Sequence, residues 1–523
     1  MAARFWVTGG TGNWNDTSNW SATTGGASGA SVPGSADTAA FDASSGAGTA
    51  TLDISPDIQT LTCTGFTGAL AFGTNTISLN STGTIFTGAT TMTVTGTPQI
   101  ICTNSSATAR TITPGAVTEA NSISFRITAG TGNFTVSTSA GIRNIDFTDG
   151  VNPTGFAGTL TAQAITIYGD LKASTGMVVT ASSLILTFGA TSGTRTIDTA
   201  GVTFDRPFTF NGVGGTWQLQ AALTSGATRT CTLTNGTLDL VSYTLTTGIF
   251  SSSNSNVRTL AFGTGKIVVT GSAATIFTTG TATNLTVTGT RLVQAITNAT
   301  TGTRTIGFST SGGTESNTID FEVTAGSDTL TLTGTGGAAR GVNLTGFAGV
   351  INIPSTKTIY GSWDSGSATS FTGTSVITFA STSSQTIRLG GLTWPGGIVF
   401  NGIGGIWDMQ DAFTSTNLLQ MSNGTLRLKA GVTSAVGSFS TTGTNQKFLQ
   451  STTPGVQATL SDASGTVSAS YLSIRDINAT GGAVWQAYTT NQNVDAGNND
   501  GWDFSSQTGK YIYTRRKNKR ILP

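Results

Sequence analysis

The closest pair of carboxylates on a predicted strand is Asp408 and Asp411, in the segment IWDMQDAF. Two carboxylates held ~5 to 9.5 Å apart can cleave a glycosidic bond, one as general acid and the other as nucleophile or base. A related segment earlier in the chain has Gln218 and Ala221 at the matching positions, so the local structure does not need the two acids. Neutral sequence change at solvent-exposed positions explains the pair of acids as well as catalysis does. We therefore predict no catalytic residue.

A second set of candidate ligands is the run DAGNNDG, which begins at Asp495. Asp495, Asn498, Asn499 and Asp500 offer the hard oxygen atoms that Ca²⁺ prefers, around a glycine turn. The run lacks the alternating spacing and the terminal glutamate of an EF-hand, and turns rich in Asp and Asn have the same composition without an ion. We predict no metal ligand and no cofactor, with a structural calcium between Asp495 and Asp500 as the open alternative.

Histidine is absent from the sequence, and cysteine occurs three times. Without histidine, zinc sites built on imidazole and nucleophiles activated by a Ser-His-Asp or Cys-His arrangement are excluded. Cys63, Cys102 and Cys231 form no CxxC pair and lie in apolar or threonine-rich alternating runs. They are predicted to be small buried side chains in strands, without a disulfide or a metal between them.

The middle of the chain consists of two copies of one unit. NGVGGTWQLQ at Asn211 returns as NGIGGIWDMQ at Asn401, and LAFGT at Leu70 returns at Leu260, both 190 residues later. NGTL recurs after 188 residues, TGFAG after 191 and TIYG after 192. Offsets that vary so little indicate a tandem duplication with small insertions in turns.

Short alternating strands are predicted from Thr49 to about Phe439. Threonine alternates with aliphatic residues in segments such as MTVTGT, LTVTGT and GKIVVTG, which is typical of strands with one buried face. The fold is therefore predicted to be all-β. It is either a right-handed parallel β-helix, a solenoid with distinct terminal caps, or a row of tandem β-sandwich modules. Strand-like sequence continues through the seam between the copies without a Pro-rich or charged linker, which favours the solenoid.

A solenoid with coils of roughly 20 to 25 residues would have about 20 coils, each rising ~4.8 Å. Inward-facing positions would then stack into a continuous apolar column. We expect this column to include Phe72, Leu238, Leu240, Phe262, Ile267 and Leu426.

Five regions are predicted along the chain. Residues 1–48 form a Trp-rich N-terminal cap or attachment region, 49–250 and 251–440 the two solenoid repeat units, 441–508 a C-terminal β cap and 509–523 a basic tail. The ends of a repetitive core need hydrophobic plugs, and we assign this role to five tryptophans: Trp6, Trp14, Trp20, Trp485 and Trp502. A carbohydrate-binding platform is the alternative interpretation of the N-terminal three.

The basic tail holds six of the 25 basic residues and no acid, whereas the rest of the chain has 19 basic against 24 acidic residues. The six are Lys510, Arg515, Arg516, Lys517, Lys519 and Arg520. Docking into an acidic groove of a partner, contact with nucleic acid and a simply solvated tail are all compatible with such a run. We do not predict nucleic acid as the partner.

Charged residues make up only 9% of the chain, so serine, threonine and asparagine must supply its hydration. The start, MAARFWVTGG, lacks the apolar core of a secretory signal, and no run approaches membrane-spanning length. These features predict a chain with no membrane span that is assembled in a host cytoplasm.

Three segments together resemble β-helical structural proteins of tailed bacteriophages, of the tail-fibre, tail-spike and head-decorating fibre type. They are the opening FWVTGGTGNWNDTSNWS, the repeated NGxGGxW and NGTLxL segments, and the ending NVDAGNNDGWDF. Similar Trp-rich openings occur in bacterial autotransporter-type β-helices. The resemblance implies a virion appendage on tail or capsid, often a homotrimer, that binds other virion proteins and contacts a glycan or protein on the host surface.

The predicted function is therefore that of a non-enzymatic, elongated spike or fibre of a phage virion. Two alternatives are open. A polysaccharide-degrading tail spike would use Asp408 and Asp411, and a bacterial surface adhesin would need an export route that this sequence does not show.

Overall fold

The structure, a computed structural model, describes residues 2–115, 118–272, 274–309 and 313–506. Their strands stack in parallel as a β-solenoid of about 20 turns, which confirms the predicted all-β parallel β-helix. The helical elements among these residues are four single 3-10 turns, Thr17–Asn19, Ala43–Ser45, Glu315–Asn317 and Thr489–Asn491.

The alternative of tandem β-sandwich modules is wrong, because sandwiches are built from antiparallel sheets. Successive coils pair in parallel and in register, as when Thr38 and Ala39 of one strand lie beside Thr60 and Leu61 of the next. One antiparallel ladder occurs among the described strands, between Ala2–Trp6 and Trp20–Ser21 in the N-terminal region. The hydrogen bonds of most strands are therefore made to the neighbouring coils.

The chain divides into two compact units. Unit 1 comprises Met1–Arg340 and Leu344–Gly349, and unit 2 comprises Gly341–Asn343 and Val350–Pro523. This division falls inside the second sequence copy. The seam between the copies, at residue 250, lies within the strand Ile249–Asn254.

Unit 1 contains four stacks of strands and the strand Gly337–Ala339. The first stack, in spatial order, is Val178–Val179, Thr159–Ala162, Phe134–Val136, Arg110–Thr113, Gly83–Thr87, Thr60–Thr62, Asp37–Ala40, Ala2–Trp6 and Trp20–Ser21. The second is Thr93–Thr95, Ala69–Ala71, Thr49–Thr51 and Gly12–Asn13. The third is Leu223–Thr224, Thr244–Thr247, Lys266–Val269, Leu292–Ala295 and Asp320–Val323. The fourth runs through Asp57–Ile58, Ile77–Leu79, Gln99–Cys102, Ser124–Ile127, Gly141–Ile142, Ile145–Asp146, Ile165–Ile167, Leu171–Lys172, Leu186–Phe188, Thr194–Asp198, Phe208–Leu219, Thr230–Asp239, Ile249–Asn254, Arg258–Ala261, Ala274–Gly280, Leu285–Thr288, Thr303–Gly307 and Thr329–Thr333.

Unit 2 contains three stacks and the paired strands Val350–Asn352 and Ser370–Thr372. One stack is Val342–Asn343, Trp363–Asp364, Ser384–Arg388, Ile406–Met409, Thr425–Leu428, Lys447–Ser451, Leu472–Arg475 and Val494–Asp495. Another is Lys357–Ile359, Ile377–Phe379, Ile398–Phe400, Thr414–Met421, Thr433–Thr441, Ala458–Asp462 and Ile477–Gly481, with Thr393–Trp394 beside Thr414–Met421. The last is Thr466–Ser468, Val484–Gln486 and Trp502–Asp503. Coil stacking thus continues through residue 441, where the sequence predicts the start of a cap.

The alternation of threonine and aliphatic residues defines the inner and outer faces of each coil. All six side chains expected in the apolar column are fully buried: Phe72, Leu238, Leu240, Phe262, Ile267 and Leu426. Outward threonines line up between coils, and hydroxyls such as those of Thr38 and Thr60 lie 2.8 Å apart. The outer face is thereby hydrated and hydrogen-bonded without charge.

The duplicated motif NGxGGxW makes equally close backbone contacts in both copies, although it lies within the strand Phe208–Leu219 in the first and runs from the end of Ile398–Phe400 into Ile406–Met409 in the second. Trp217 and Trp407 are fully buried in the cores of their units. A Cβ atom on Gly212 would lie 1.8 Å from Ala190 O, and one on Gly402 equally close to the carbonyl of the coil below. The motif therefore needs glycine because neighbouring backbones approach too closely for a side chain.

The asparagine of this motif begins a ladder in each copy. Asn235 Nδ2 donates to Asn211 Oδ1 at 2.8 Å, and Asn423 Nδ2 donates to Asn401 Oδ1 at 2.7 Å. The repeated NGTL motif supplies the second asparagine in each case. The most similar segments of the two copies thus serve the stacking of coils.

Candidate functional site

The two acids considered for catalysis both have structural partners. Asp408 Oδ1 lies 3.4 Å from Arg427 Nη1 on the next coil. Asp411 accepts hydrogen bonds from the backbone N–H groups of Leu389 and Gly391, both at 3.1 Å, and so holds the turn of the preceding coil. These contacts give each carboxylate a role in coil stacking.

The side chains of the segment considered for calcium, Asp495 to Asp500, form a hydrogen-bond network in which the carboxylate oxygens accept from other protein groups. Asp495 Oδ1 accepts from Asn499 Nδ2 at 2.7 Å, and Asn498 Nδ2 donates to Asp476 Oδ1 at 2.7 Å. Asp500 Oδ2 accepts from a glutamine side chain at 2.9 Å. Among the described residues, no group of three or more Cys, Asp or Glu side chains is placed to hold a metal ion.

The three N-terminal tryptophans form one buried cluster with Phe41. Trp6, Trp14 and Trp20 are all fully buried, and the ring centroid of Trp20 lies 5.3 Å from that of Trp6 and 4.9 Å from that of Trp14. Phe41 continues the cluster to Phe66 on the next coil, at 5.1 Å. Because a sugar stacks on an exposed aromatic face, these rings offer it no platform in this conformation.

The two C-terminal tryptophans also contact each other. Trp485 and Trp502 lie on neighbouring strands with ring centroids 4.8 Å apart, and both lie near Phe439. Trp485 is 4% exposed and its Nε1 donates to Thr480 O, whereas Trp502 is partly exposed. The basic tail, from Lys510 through Arg515, Arg516, Lys517, Lys519 and Arg520, lies outside the described residues.

The cysteines lie in the solenoid interior. Cys63, Cys102 and Cys231 are free and fully buried, and burial raises the pKa of each thiol, that of Cys102 to about 12. A neutral buried thiol behaves as a small hydrophobic side chain. Within the described ranges, no helix has the length and apolarity needed to cross a membrane.

The structure reveals one polar groove that the sequence did not predict. It lies on the side of unit 1, has a volume of about 450 Å³, and crosses six coils. Four charged residues of alternating sign stand in register along it: Arg126, Asp146, Lys172 and Asp198. Neighbouring members are separated by the spacing of adjacent strands, ~4.8 Å.

Most of the groove's polar atoms are fixed by contacts between coils. Arg126 Nε donates to Asp146 Oδ2 at 3.1 Å, and Asp170 Oδ1 accepts from both N and Oγ1 of Thr196. Lys172 Nζ makes no hydrogen bond or ion pair within the part of the chain that the structure describes, although it stands between Asp146 and Asp198. The groove therefore presents a free ammonium group between carboxylates, an arrangement suited to a hydroxylated ligand with both donors and acceptors.

A second feature not predicted from the sequence is a set of buried cations. Arg110, Arg206, Arg258 and Arg304 in unit 1 and Lys357 and Lys447 in unit 2 are at most 1% exposed. Most of them donate to carbonyls of nearby turns. Arg206, for example, donates to three, and Lys447 Nζ donates to Gly443 O and Asn445 O. These cations thus satisfy inward-facing carbonyls that the coil stacking leaves unpaired.

We expect Lys357 to make the stability of unit 2 depend on pH. Its Nζ donates to Ser355 O and Oγ at 2.8 and 2.7 Å, and burial lowers its pKa from 10.5 to about 8. The unfolded chain therefore binds more protons than the folded chain between about pH 8 and 10.5, so the free energy of unfolding should rise with pH in that window. Urea midpoints measured from pH 7.5 to 10.5 should rise more steeply, or fall less steeply, in the wild type than in Lys357→Met, because the buried thiols contribute the same opposite dependence to both proteins. If the urea midpoint of the variant changed with pH as steeply as that of the wild type, a group other than Lys357 would cause the pH dependence.

Comparison with protein-family models, with curated proteins and with solved structures finds no match for this chain.

Proposed function

We propose that this chain is a non-enzymatic structural component of a phage virion, a spike or fibre on the tail or the capsid that contacts the host surface. In this proposal it works as a homotrimer bound to other virion proteins. The main observation behind the proposal is that the segments shared by both copies stabilise the packing and stacking of the solenoid coils. Trp217 and Trp407 fill the core, the motif glycines allow close coil contact, and the asparagines form ladders.

The fate of the candidate acids supports a non-enzymatic role. Asp408 pairs with Arg427, and Asp411 holds a turn of the preceding coil. A general acid needs a carboxyl group that can give its proton to the substrate, and structural ion pairs and turn contacts compete with that use. The sequence resemblance to phage β-helical proteins supplies the virion setting.

Labelling of purified phage particles tests the proposal. An antibody against unit 1 should bind intact particles at a small, symmetric number of positions, and the isolated chain should sediment as three copies. Incubation with host polysaccharide should release no oligosaccharide. Absence of the chain from particles would overturn the virion role, and oligosaccharide release that is lost in Asp408→Asn would favour the degrading tail spike.

The polar groove favours a host glycan as the surface that is contacted. Sugar hydroxyls can donate to Asp146 and Asp198, while the Lys172 ammonium and the Gln220 amide can donate to sugar oxygens. The groove repeats such groups at each coil, so a glycan lying along the solenoid axis would meet several of them. Its three aspartates against one arginine and one lysine favour a neutral glycan over an acidic one.

Lys172→Ala should weaken binding of a neutral host polysaccharide by roughly 10- to 150-fold, because a hydrogen bond from a charged donor contributes about 1.5–3 kcal/mol. Titration calorimetry of the full chain measures the change. Lys266→Ala is the matched control, since Lys266 lies in another strand stack of unit 1 and pairs with Gln294 at 3.1 Å. Equal affinities of the two variants would show that the groove is not the glycan-binding site. The virion role would then still be tested by the labelling of particles.

A further inference from the structure

Arg110 is buried inside unit 1 with too few acceptors for its guanidinium group. It is fully buried at the start of the strand Arg110–Thr113, and its Nη2 donates to Ala129 O at 2.7 Å. Its Nε and Nη1 have no acceptor among the residues that the structure describes. The rings of Phe134 and Phe156 lie 5.8 and 5.6 Å from the guanidinium carbon, so much of its surroundings is apolar.

The second sequence copy contains the same arrangement with a carboxylate added. Arg304 begins RTI as Arg110 does, its Nη2 donates to Ala325 O at 2.9 Å, and the ring of Phe347 lies 5.9 Å away. Asp328 then accepts from Arg304 Nε and Nη2 at 2.9 and 2.8 Å. Arg304 is thereby neutralised within the protein.

Among its described residues, the first copy places no carboxylate at the matching position. The segment TAGSD around Asp328 aligns with TAGTG, so Gly132 stands at the matching position. A Cβ atom on Gly132 would lie 2.4 Å from Ala107 O, and a side chain does not fit there. The nearby Cys102 thiol cannot neutralise Arg110 at neutral pH, because burial raises its pKa to about 12.

A buried cation is strongly unfavourable unless its N–H groups are paired, and the other buried arginines of unit 1 pair theirs more fully, Arg304 with a carboxylate and the other two without one. Arg258 donates to five backbone carbonyls and to the Ser252 hydroxyl, and Arg206 donates to three carbonyls. Arg110 has one carbonyl acceptor. A water molecule could accept from its free N–H groups but would bring no negative charge to a guanidinium that has one carbonyl acceptor, against three for Arg206 and five for Arg258.

We propose that unit 1 binds a small monovalent anion of the halide class at Nε and Nη1 of Arg110, inside the solenoid. The anion has the role that the Asp328 carboxylate has for Arg304. A halide fits this class because it accepts several N–H donors, carries one charge and tolerates the two neighbouring phenylalanine rings. The site is a structural counter-ion site and is independent of the proposed virion role.

Thermal unfolding in bromide and in methanesulfonate, at constant ionic strength, tests the proposal on the full chain. The midpoint of the wild type should rise by about 2–4 °C over a hundredfold increase in bromide. Arg110→Met should lose this dependence. Asp328→Asn leaves Arg304 without its carboxylate and should depend on bromide more steeply than the wild type.

Three results would overturn the proposal: a wild-type midpoint that does not respond to bromide, an unchanged response in Arg110→Met, or no steeper response in Asp328→Asn. If Arg110→Met does not fold, crystals of the wild type grown in bromide decide. Anomalous density within hydrogen-bond distance of Arg110 Nε, and none at Arg304, supports the site. Ordinary water density at Arg110 means that only a solvent molecule is bound.

Discussion

Trp20→Ala should destabilise the N-terminal coils of unit 1 by about 3–5 kcal/mol, the range found when a fully buried large aromatic side chain is removed. Trp20 is fully buried, and its ring contacts those of Trp6, Trp14 and Phe41. Its Nε1 also donates to Trp14 O at 2.8 Å, so the substitution leaves both a cavity and a buried carbonyl without its donor. The cost arises at the end of the first strand stack, which terminates in the strand Trp20–Ser21.

Because each coil of a solenoid contacts its neighbours, this loss should be local. Native-state hydrogen exchange should show faster opening of the strands Ala2–Trp6 and Asp37–Ala40, with a smaller change in the strand Lys266–Val269. Val257→Ala is a control, since Val257 is 74% exposed and its loss should cost no more than about 0.5 kcal/mol. Unchanged exchange in the first two strands of Trp20→Ala would refute the interpretation of the cluster as a plug.

The fold was predictable because the hydrophobic effect acts on a pattern with period two. Alternating threonine and aliphatic residues place Leu238 and Leu240 inside and the threonines outside, and the structure shows this arrangement. The duplication predicts that matching residues of the two copies have the same role, and Trp217 and Trp407 are both fully buried beside closely approaching glycines. Sequence therefore identified the coil and much of its core.

The buried cations were missed because charge is normally taken to mark an exposed position. Arg110, Arg258 and Arg304 each stand two residues before a buried Ile or Leu, so alternation alone places them on the inner face. Lys357 and Lys447 follow the same rule. The rule is not sufficient, since Arg195 also precedes a buried Ile but is only half-buried and lies 3.9 Å from Glu119.

The groove was missed for a different reason. Arg126, Asp146, Lys172 and Asp198 come from four coils, separated by 20 or 26 residues in sequence. Coils of unequal length have no fixed repeat, so neighbours across coils follow only from the strand register. The strand register can be predicted only if the turn lengths are known, and the turns are the parts that differ most in length from coil to coil.

Asp328→Ala should destabilise unit 1 by about 3–5 kcal/mol, because it removes one partner of a fully buried ion pair and leaves the other charge unpaired. Both side chains of the Arg304–Asp328 pair are 0% exposed, and Asp328 accepts two of the guanidinium hydrogen bonds. Urea unfolding at 25 °C measures the loss. The partly exposed pair of Arg340 and Asp320, with side chains 36% and 26% exposed, provides a control in Arg340→Met, for which the expected cost is at most about 1 kcal/mol.

The double substitution Arg304→Met with Asp328→Leu should recover most of the stability lost in Asp328→Ala. It removes both charges and their desolvation, and replacing a buried ion pair with hydrophobic side chains is often neutral or stabilising. Full recovery is not expected, because Arg304 also donates to Thr297 O and Ala325 O, and these carbonyls lose their donor. A double variant less stable than Asp328→Ala would mean that Arg304 stabilises its turn mainly through the carbonyls, as Arg206 does, and that the carboxylate is secondary.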